Sequence, residues 1–264
     1  MKRIIFSVFL ASIVCSLFGQ DFEVSPVAVN FSAEPGENQV RKINIINHSP
    51  RPQKYQFKIN DFLLDTDGVV RPMALGINKR SCAEWLTLNP SFIELGPNQS
   101  ATVDMIITVP KDGFTARWAN VGVEPVKEQN AFEADKNLSQ GVLIVPRISI
   151  QVRQSPRSNR SYRASINNLR EITKPTDTNR VFEVMVQNSG DNILSANVHL
   201  ILANVNSGDE QKFEATNFTI YPDGKRLLKL HVPRNIAKGK YALAAILDYG
   251  HRQPLEGTQL MIDF

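Results

Sequence analysis

The chain has 264 residues, 42% of them hydrophobic and 21% charged, a composition that excludes global disorder and allows one large domain or two smaller ones. Its formal net charge is +4, which becomes 4 − 2 = +2 when Lys2 and Arg3 of a predicted leader are left out. So small a charge gives no reason to expect a nucleic-acid partner.

Residues 1–20 predict a secretory signal peptide. Two basic residues precede an apolar core from Ile4 to about Phe18, and the segment ends just before acidic Asp21. An uncleaved anchor is the alternative, although the apolar run is short for a membrane span. We expect an exported bacterial protein that is periplasmic, secreted or at the cell surface, with no transmembrane anchor in the mature chain.

Removal of this leader leaves Cys82 as the only cysteine, so we expect no intrachain disulfide and a fold that depends on its hydrophobic core. A nucleophilic role for Cys82 needs a neighbouring histidine and an orienting group, and the sequence has no recognisable signature of such a site. We therefore predict that Cys82 is a structural thiol.

From Asp21 onward, strand signals outnumber helix signals. The segments 40–49, 53–62 and 100–110 alternate apolar and polar residues, as strands do when one face is buried. Between two of them lies DTDG, residues 65–68, with the Asp-Gly pair that is typical of hairpin turns. Short strands separated by turn signals about every ten residues predict an antiparallel β-sandwich.

The stretch from residue 85 to 110 reads WLTLNPSFIELGPNQSATVDMIITVP and predicts a strand pair of such a sandwich. We expect Trp85 and Leu95 in the core, with Pro90 and Pro97 in the turns. No reactive group stands out in this stretch, so it favours a structural role over catalysis.

The composition changes at residues 153–163, RQSPRSNRSYR, which are basic, rich in serine and nearly free of apolar side chains. We predict a linker here, between an N-terminal domain of residues 21–156 and a C-terminal domain of residues 157–264. The arginines of this linker predict a solvated hinge or, as the alternative, a surface that contacts anions.

The second half of the chain repeats the first in outline. Pro222 corresponds to Pro97 and Pro233 to Pro110, and an alternating strand lies between the two prolines in each case. An Asn-centred turn between two strands also occurs in both halves. The sequence therefore predicts an all-β protein made of two tandem antiparallel β-sandwich domains.

Residues suited to metal binding or catalysis are scattered along the chain. None of the four histidines has a partner at the spacing of a metal site. The DTDG segment resembles the start of a calcium loop, but the position that needs a glutamate is occupied by Gly76. There is no phosphate-binding loop and no nucleophile elbow. We expect no metal, no cofactor and no enzymatic activity.

Three segments resemble the periplasmic pilus-assembly chaperones of the usher pathway, which have two immunoglobulin-like domains. The opening strand, turn and second strand of that family are similar to FEVSPVAVNFSAEPGENQVRKINIIN, and its strand–proline–strand segment to WLTLNPSFIELGPNQSATVDMI. Its penultimate strand, long loop and last strand are similar to NVGVEPVKEQNAFEADKNLSQGVLIVPRISIQVR. The resemblance covers about residues 22–156, and the second domain shares the sandwich outline. It implies immunoglobulin-like domains and a chaperone that binds a fimbrial or surface protein subunit.

The chain departs from that family at the residues that bind a carboxylate. Those chaperones bind the C-terminal carboxylate of a subunit with two basic residues, one in the first strand and one in the last. Here Ser149 stands where the last-strand lysine is expected, and the first strand has no arginine. Arg147 could replace that lysine if it faces the same side, which its matching strand parity with Ser149 permits.

The resemblance also implies that the last strand is donated to the partner. An apolar row of alternating residues follows Pro146, and an apolar pair of opposite phase precedes it. A proline inside such a run indicates an edge strand or a bulge, and an edge strand can add to a partner's sheet. The alternative is that the row packs in the core of its own domain. The predicted partner-binding residues are Leu143, Val145, Arg147, Ile148, Ile150 and Val152.

A second resemblance implies a different kind of partner. Residues 60–70 and 82–113 also resemble the paired sandwich domains of cell-surface proteins that interact with WxL-type proteins. The usual C-terminal membrane anchor of those proteins is not expected here, because the sequence ends in GTQLMIDF. The functional alternatives are an envelope scaffold or adhesive protein that binds protein or peptidoglycan through loops and, as a third class, an exported hydrolase.

Overall fold

The structure, a computed structural model, describes residues 21–126 and 145–264. These residues form strands and a short 3-10 helix, Ala83–Trp85, and none of their helices is long and apolar enough to cross a membrane. The predicted signal peptide, the loop from about Lys127 to Gln140 and the predicted binding residue Leu143 lie outside the described residues.

The first domain contains the strands β1 (Phe22–Ser25), β2 (Ala28–Phe31), β3 (Asn38–Asn47), β4 (Gln53–Leu64), β5 (Val70–Met73), β6 (Leu86–Asn89), β7 (Phe92–Leu95), β8 (Ser100–Thr108), β9 (Arg117–Pro125) and β10 (Ile148–Gln154). One sheet has the order β1-β3-β8-β6, and the other has the order β2-β10-β9-β4-β5 with β7 beside β4. Strands β2 and β10 run parallel, whereas the pairings of β10 with β9 and of β9 with β4 are antiparallel.

The second domain contains the strands β11 (Ala164–Glu171), β12 (Asn179–Asn188), β13 (Leu194–Asn204), β14 (Glu210–Lys212), β15 (Thr216–Ile220), β16 (Lys225–Pro233), β17 (Lys240–Asp248) and β18 (Glu256–Asp263). One sheet has the order β11-β12-β16, and the other has the order β14-β13-β17-β18 with β15 beside β13. The predicted all-β architecture of two tandem antiparallel sandwiches is confirmed.

Alternating apolar residues build the core of each sandwich, as the sequence predicts. In β8, Val103, Met105 and Ile107 have 0% solvent exposure, and they share one buried cluster with Ile150 and Val152 of β10. The second domain has its own cluster, to which the strands β11, β12, β13, β15, β16, β17 and β18 contribute. Period-2 alternation produces this result because successive side chains of a strand point to opposite faces of its sheet.

Residues 85–110 form three strands in two sheets rather than a strand pair. Strand β6 pairs with β8, whereas β7, which lies between them in sequence, pairs with β4 in the other sheet. The chain crosses between the sheets near Pro90 and returns near Pro97, since a proline has no N–H with which to continue a ladder. Leu95 is buried and Trp85 packs against the core, as predicted.

The internal repeat is visible in two asparagines that end corresponding strands. Asn47 ends β3 and Asn188 ends β12, and both have 0% exposure. The Asn47 Nδ2 donates to the carbonyl oxygen of Leu95 at 3.0 Å, and the Asn188 Nδ2 donates to that of Ile220 at 3.3 Å. Each side-chain oxygen accepts the backbone N–H two residues later, at 3.0 Å and 2.9 Å. The same turn is thus closed in the same way in both halves.

An aromatic cluster joins the two domains. The ring of Tyr221 lies 5.6 Å from that of Phe62 in a T-shaped contact and 4.7 Å from that of Trp118. The indole N–H of Trp118 donates to the carbonyl oxygen of Phe62 at 2.9 Å, which fixes the indole ring. The cluster is separate from the two domain cores.

Charged residues surround this junction. The guanidinium of Arg80 forms an ion pair with Asp191 and a second one with Asp223, at 3.0 Å, and both carboxylates belong to the second domain. Burial disfavours the charge on Arg80, but hydrogen bonds and the charges of these two partners outweigh it and raise its pKa. A single cation therefore links two loops of the neighbouring sandwich.

The predicted hairpin turn at residues 65–68 is confirmed, and it also contacts the second domain. Strands β4 and β5 pair around it, and the carbonyl oxygen of Thr66 accepts the backbone N–H of Leu227 at 2.8 Å. Gly68 has a φ of +83°, and a Cβ there would lie 2.2 Å from Nη2 of Arg226. The positive φ favours glycine in this turn, and a larger residue would also displace the guanidinium of Arg226.

The connecting segment differs from a solvated hinge. Nη2 of Arg157 donates to Glu37 of the first domain at 2.7 Å, and the hydroxyl of Ser158 donates to Glu34 at 2.6 Å. Nε of Arg153 donates to the hydroxyl of Tyr221 at 2.9 Å. The bonds of Arg157 and Ser158 hold the segment on the first domain, where acidic side chains distant in sequence accept them, and the bond of Arg153 joins it to the second domain.

We expect Asn47→Ala to lower the free energy of unfolding of the first domain by about 2–4 kcal/mol, because it leaves buried carbonyl groups without a donor. Asn188→Ala should have a similar effect on the second domain. Urea unfolding followed by tryptophan fluorescence reports the first domain, which contains Trp85 and Trp118. Exposed Asn206 supplies the control, and an Asn47→Ala protein no less stable than Asn206→Ala would contradict the assignment.

The pKa of Glu37 is lowered to about 2, first by the hydrogen bond from Arg157 and then by the backbone N–H of Glu34. Because this pKa is depressed in the folded state, the stabilisation is present above the ordinary value of about 4.5 and is lost as the pH falls through about 2. We expect the difference in stability between wild type and Glu37→Gln to shrink as the pH falls from 5 toward 2. Glu210→Gln, at an exposed strand position, should show no such trend.

Candidate partner-binding strand

Strand β10 has one edge that is only partly covered. It pairs with β9 along its full length, from Ile148 to Gln154, whereas its ladder with β2 begins at Gln151. Within the described residues, no strand is paired with that edge over Ile148–Ile150. An open edge of this kind presents backbone donors and acceptors to which another strand can bind.

A hydrogen bond made by Gln151 shows in which direction the unpaired backbone groups of β10 point. The N–H of Gln151 donates to the carbonyl oxygen of Val27 at 3.0 Å, so it points toward the β2 side. Backbone groups alternate in direction along a strand, and Ser149 therefore directs its N–H and C=O to the same side, beyond the start of the ladder. The side chain of Ser149 is exposed.

The predicted binding residues occupy three different environments. Ile150 and Val152 have 0% exposure and belong to the core, and Ile148 is half-buried against that core. Val145, which is 38% exposed, and Arg147 lie outside it. The apolar row that follows Pro146 thus faces inward, and its first member stands at the rim of the core.

Arg147 is already engaged by a carboxylate. Its Nε and Nη2 donate to Oε2 of Glu124 at 2.9 Å and 2.7 Å. Glu124 also forms an ion pair with Lys58 and accepts a hydrogen bond from Gln56 at 2.8 Å. Burial opposes the charge of Glu124, but the bonds from Lys58 and Arg147 outweigh it and hold its pKa below the usual value. In this arrangement Arg147 shares the carboxylate of Glu124 with Lys58, and its guanidinium is engaged in an ion pair.

Arg153 is a cation of β10 that the sequence placed in the linker. It lies on the same strand face as Ser149, and its Nη2 donates to Oε1 of Gln151 at 2.8 Å. Its other contact is with Tyr221, whose ring centroid lies 5.7 Å from the guanidinium carbon. Both partners are neutral, so the charge stays available in the corner between the domains. The sequence could have indicated this residue, because Arg153 is an even number of positions from Ser149 and such residues face the same side of a strand.

Cys82 is fully buried, and burial raises the pKa of its thiol to about 12. A thiol in that state is protonated at neutral pH and is a poor nucleophile, in agreement with the prediction of a structural role. In residues 21–126 and 145–264, no group of three or more His, Cys, Asp or Glu side chains is placed to hold a metal ion.

We expect a maleimide at pH 8 to label Cys82 at least about 100-fold more slowly in the native protein than in the unfolded one, because the thiolate fraction and the access are both small. In the chain without the predicted leader, Cys82 is the single thiol. Labelling in denaturant gives the reference rate. Equal rates in the two states would show that the thiol is open in the native protein.

Comparisons with known proteins found likenesses among solved structures only. No protein-family model matches the chain, and no curated protein matches it significantly. A chain from the solved structure "Chaperone-tip adhesin complex is vital for synergistic activation of CFA/I fimbriae biogenesis" has a TM-score of 0.50 and 14% identity, over 92% of this chain and 98% of that one. The class 5 fimbriae chaperone CfaA has a TM-score of 0.48 and 14% identity, over 91% and 98% of the two chains. The Escherichia coli chaperone DraB has 0.42 and 13%, over 90% and 98%.

The first of these likenesses shows the fold of this chain, at an identity of 14%. The predicted resemblance to pilus-assembly chaperones is confirmed at the level of that fold, which consists of two tandem immunoglobulin-like sandwiches.

Proposed function

We propose that the protein is an exported chaperone or adaptor that binds a fimbrial or envelope protein subunit by β-strand addition to β10. The observation that carries the proposal is the open edge at Ile148–Ile150, next to a stretch of the same strand that is paired on both sides. The likeness in fold to a chain of a chaperone–tip adhesin complex supports it.

Strand addition would use two features of this edge. The backbone groups of Ser149 supply hydrogen bonds, which give affinity without requiring a particular partner sequence. Half-buried Ile148 and exposed Val145 supply apolar contacts at the rim of the core. A partner strand bound there would extend the sheet and cover that rim.

A second kind of binding group, the cation of Arg153, lies in the corner between the two domains. Arg153, on the outward face of β10, bonds to the neutral groups of Tyr221 and Gln151 and forms no ion pair with any described residue, whereas Arg147 is paired with Glu124. We therefore assign the last-strand cation for a partner's carboxylate to Arg153, in place of Arg147. Its hydrogen bonds to neutral groups fix the guanidinium and leave its charge unopposed.

The described residues favour protein binding over catalysis. The only cysteine among them is buried and protonated, and Glu124 is used to hold strands together. An exported location is part of the proposal, because strand addition to a fimbrial subunit takes place outside the cytoplasm. Binding of peptidoglycan through loops is the outcome that would replace it.

The decisive variant is Ser149→Pro. It removes the N–H that points to the open edge and leaves the ladder with β9 intact, since that ladder uses the even-numbered residues. Ser149→Ala is the matched control, because it keeps the N–H and loses only the hydroxyl. A double change of Ile148 and Ile150 to Asp is less informative, since Ile150 lies in the core.

Tagged wild type and both variants are used to capture partners from the native envelope, with mass spectrometry and a thermal melt in parallel. We expect one β-rich partner to be retained by wild type and Ser149→Ala and reduced at least about tenfold in Ser149→Pro, with unchanged melting. Equal capture by a folded Ser149→Pro protein, or peptidoglycan as the bound material in every sample, would overturn the proposal.

A further inference from the structure

A cavity of about 790 Å³ lies beside the aromatic cluster, at the junction of the two domains. Its walls come from the end of β4 and the loop before Arg80 on one side and from the turn between β15 and β16 on the other. Small-molecule sites in proteins have volumes of roughly 300–1,000 Å³ and favour domain interfaces. The cavity therefore has the size and the position of such a site.

Apolar side chains of this cavity are open to solvent. Ile77 is 58% exposed and Leu63 is 41% exposed, and Trp118 and Tyr221 line the same space. Isolated exposed apolar residues are common, but a concave group that shares one cavity indicates a binding surface. A flat apolar body can lie against Leu63 and Ile77 with its inner edge toward the aromatic rings.

Each of the two acidic groups that line the cavity forms an ion pair with an arginine. Asp65 forms an ion pair with Arg71 at 2.7 Å, and Asp223 forms one with Arg80 at 3.0 Å. Asp65 thus has a counter-ion of its own, and Asp223 shares Arg80 with Asp191. The charge of a ligand that fits the cavity therefore depends on the other basic side chains of the lining.

Three basic residues of the lining have no carboxylate partner within the described chain: Lys79, Lys225 and Arg226. Arg226 donates from Nη1 to the carbonyl oxygen of Thr219 at 3.1 Å and from Nη2 to that of Asp67 at 3.3 Å, while its Nε is buried and has no partner. Burial lowers the pKa of Arg226 against the opposing effect of nearby aspartates. The hydrogen bonds of this guanidinium go to carbonyl oxygens rather than to carboxylates, so a bound anion can still pair with it directly.

We propose that the junction cavity binds a small amphipathic anion. Its apolar body would lie on Leu63 and Ile77, and its acidic group, a carboxylate or a sulfonate, would face Lys79, Lys225 and Arg226. The site is independent of strand addition at β10, because none of its lining residues belongs to that strand. Since both domains contribute walls, a bound anion would also hold the domains in their present arrangement.

The test uses 2-naphthalenesulfonate as the probe and 2-naphthalenemethanol as its uncharged counterpart, both titrated into the protein by calorimetry. We expect the sulfonate to bind at a single site, with a dissociation constant about tenfold or more below that of the alcohol. Quenching of Trp118 fluorescence in a Trp85→Phe background would place the probe in the cavity. Absence of measurable sulfonate binding, or equal affinity for the two probes, would overturn the proposal.

Ile77→Glu provides the site variant, because the side chain is exposed and its replacement places a negative charge in the lining without disturbing a core. We expect it to weaken sulfonate binding at least about tenfold. The matched control is Leu255→Glu, which alters an apolar residue that is 62% exposed and outside the cavity. Undiminished binding by Ile77→Glu, or an equal loss in the control, would refute the site. Ser149→Pro should bind the probe like wild type. The proposal of an anion site and the proposal of strand addition at β10 can therefore fail independently.

Discussion

The packing of Tyr221 against Phe62 and Trp118 is the contact on which the arrangement of this molecule depends. Aromatic pairs at such distances contribute about 0.5–1.5 kcal/mol each beyond the area they bury, and here the three rings form a cluster apart from both cores. The hydroxyl of Tyr221 accepts from Arg153, and Tyr221 and Trp118 also line the junction cavity. Both candidate binding regions thus take their position from one buried ring.

Strand β10 combines two roles because its faces and its edges are different surfaces. Its even-numbered side chains, Ile150 and Val152, complete the core of the first domain. Its odd-numbered side chains, among them Ser149 and Arg153, lie on the outward face. Its free backbone edge is perpendicular to both directions, so a partner strand can bind there while the core stays packed. The buried apolar row and strand addition are therefore compatible.

Ionisable groups in this protein serve mainly to hold segments in place. Glu124 binds Arg147 at the start of β10, and Glu37 binds Arg157 in the connecting segment. Arg80 joins the two domains. Each of these bonds joins residues that are far apart in the chain, and each favours the ionised form of its carboxylate or guanidinium. A protein whose charges are used in this way is suited to presenting a defined binding surface.

The sequence by itself determined the class of fold, the strands, the repeat and the buried thiol. Period-2 alternation predicted the inward residues of β8, and the matched prolines predicted the repeat that Asn47 and Asn188 close in the same way. These features are local, since each depends on neighbours within one strand or one turn. They also fixed the hairpin turn at residues 65–68.

Only the tertiary structure decided which edge of β10 no described strand covers, which cation has only neutral partners among the described residues, and where a cavity lies. The sequence assigned Arg153 to a solvated linker, because apolar residues stop at Val152, whereas the fold brings Tyr221 against it. It assigned Arg147 to partner binding, whereas the fold places Glu124, on the neighbouring strand, in an ion pair with it. An edge, an ion pair and a cavity exist only after distant segments have packed, and no local pattern records which segments those are.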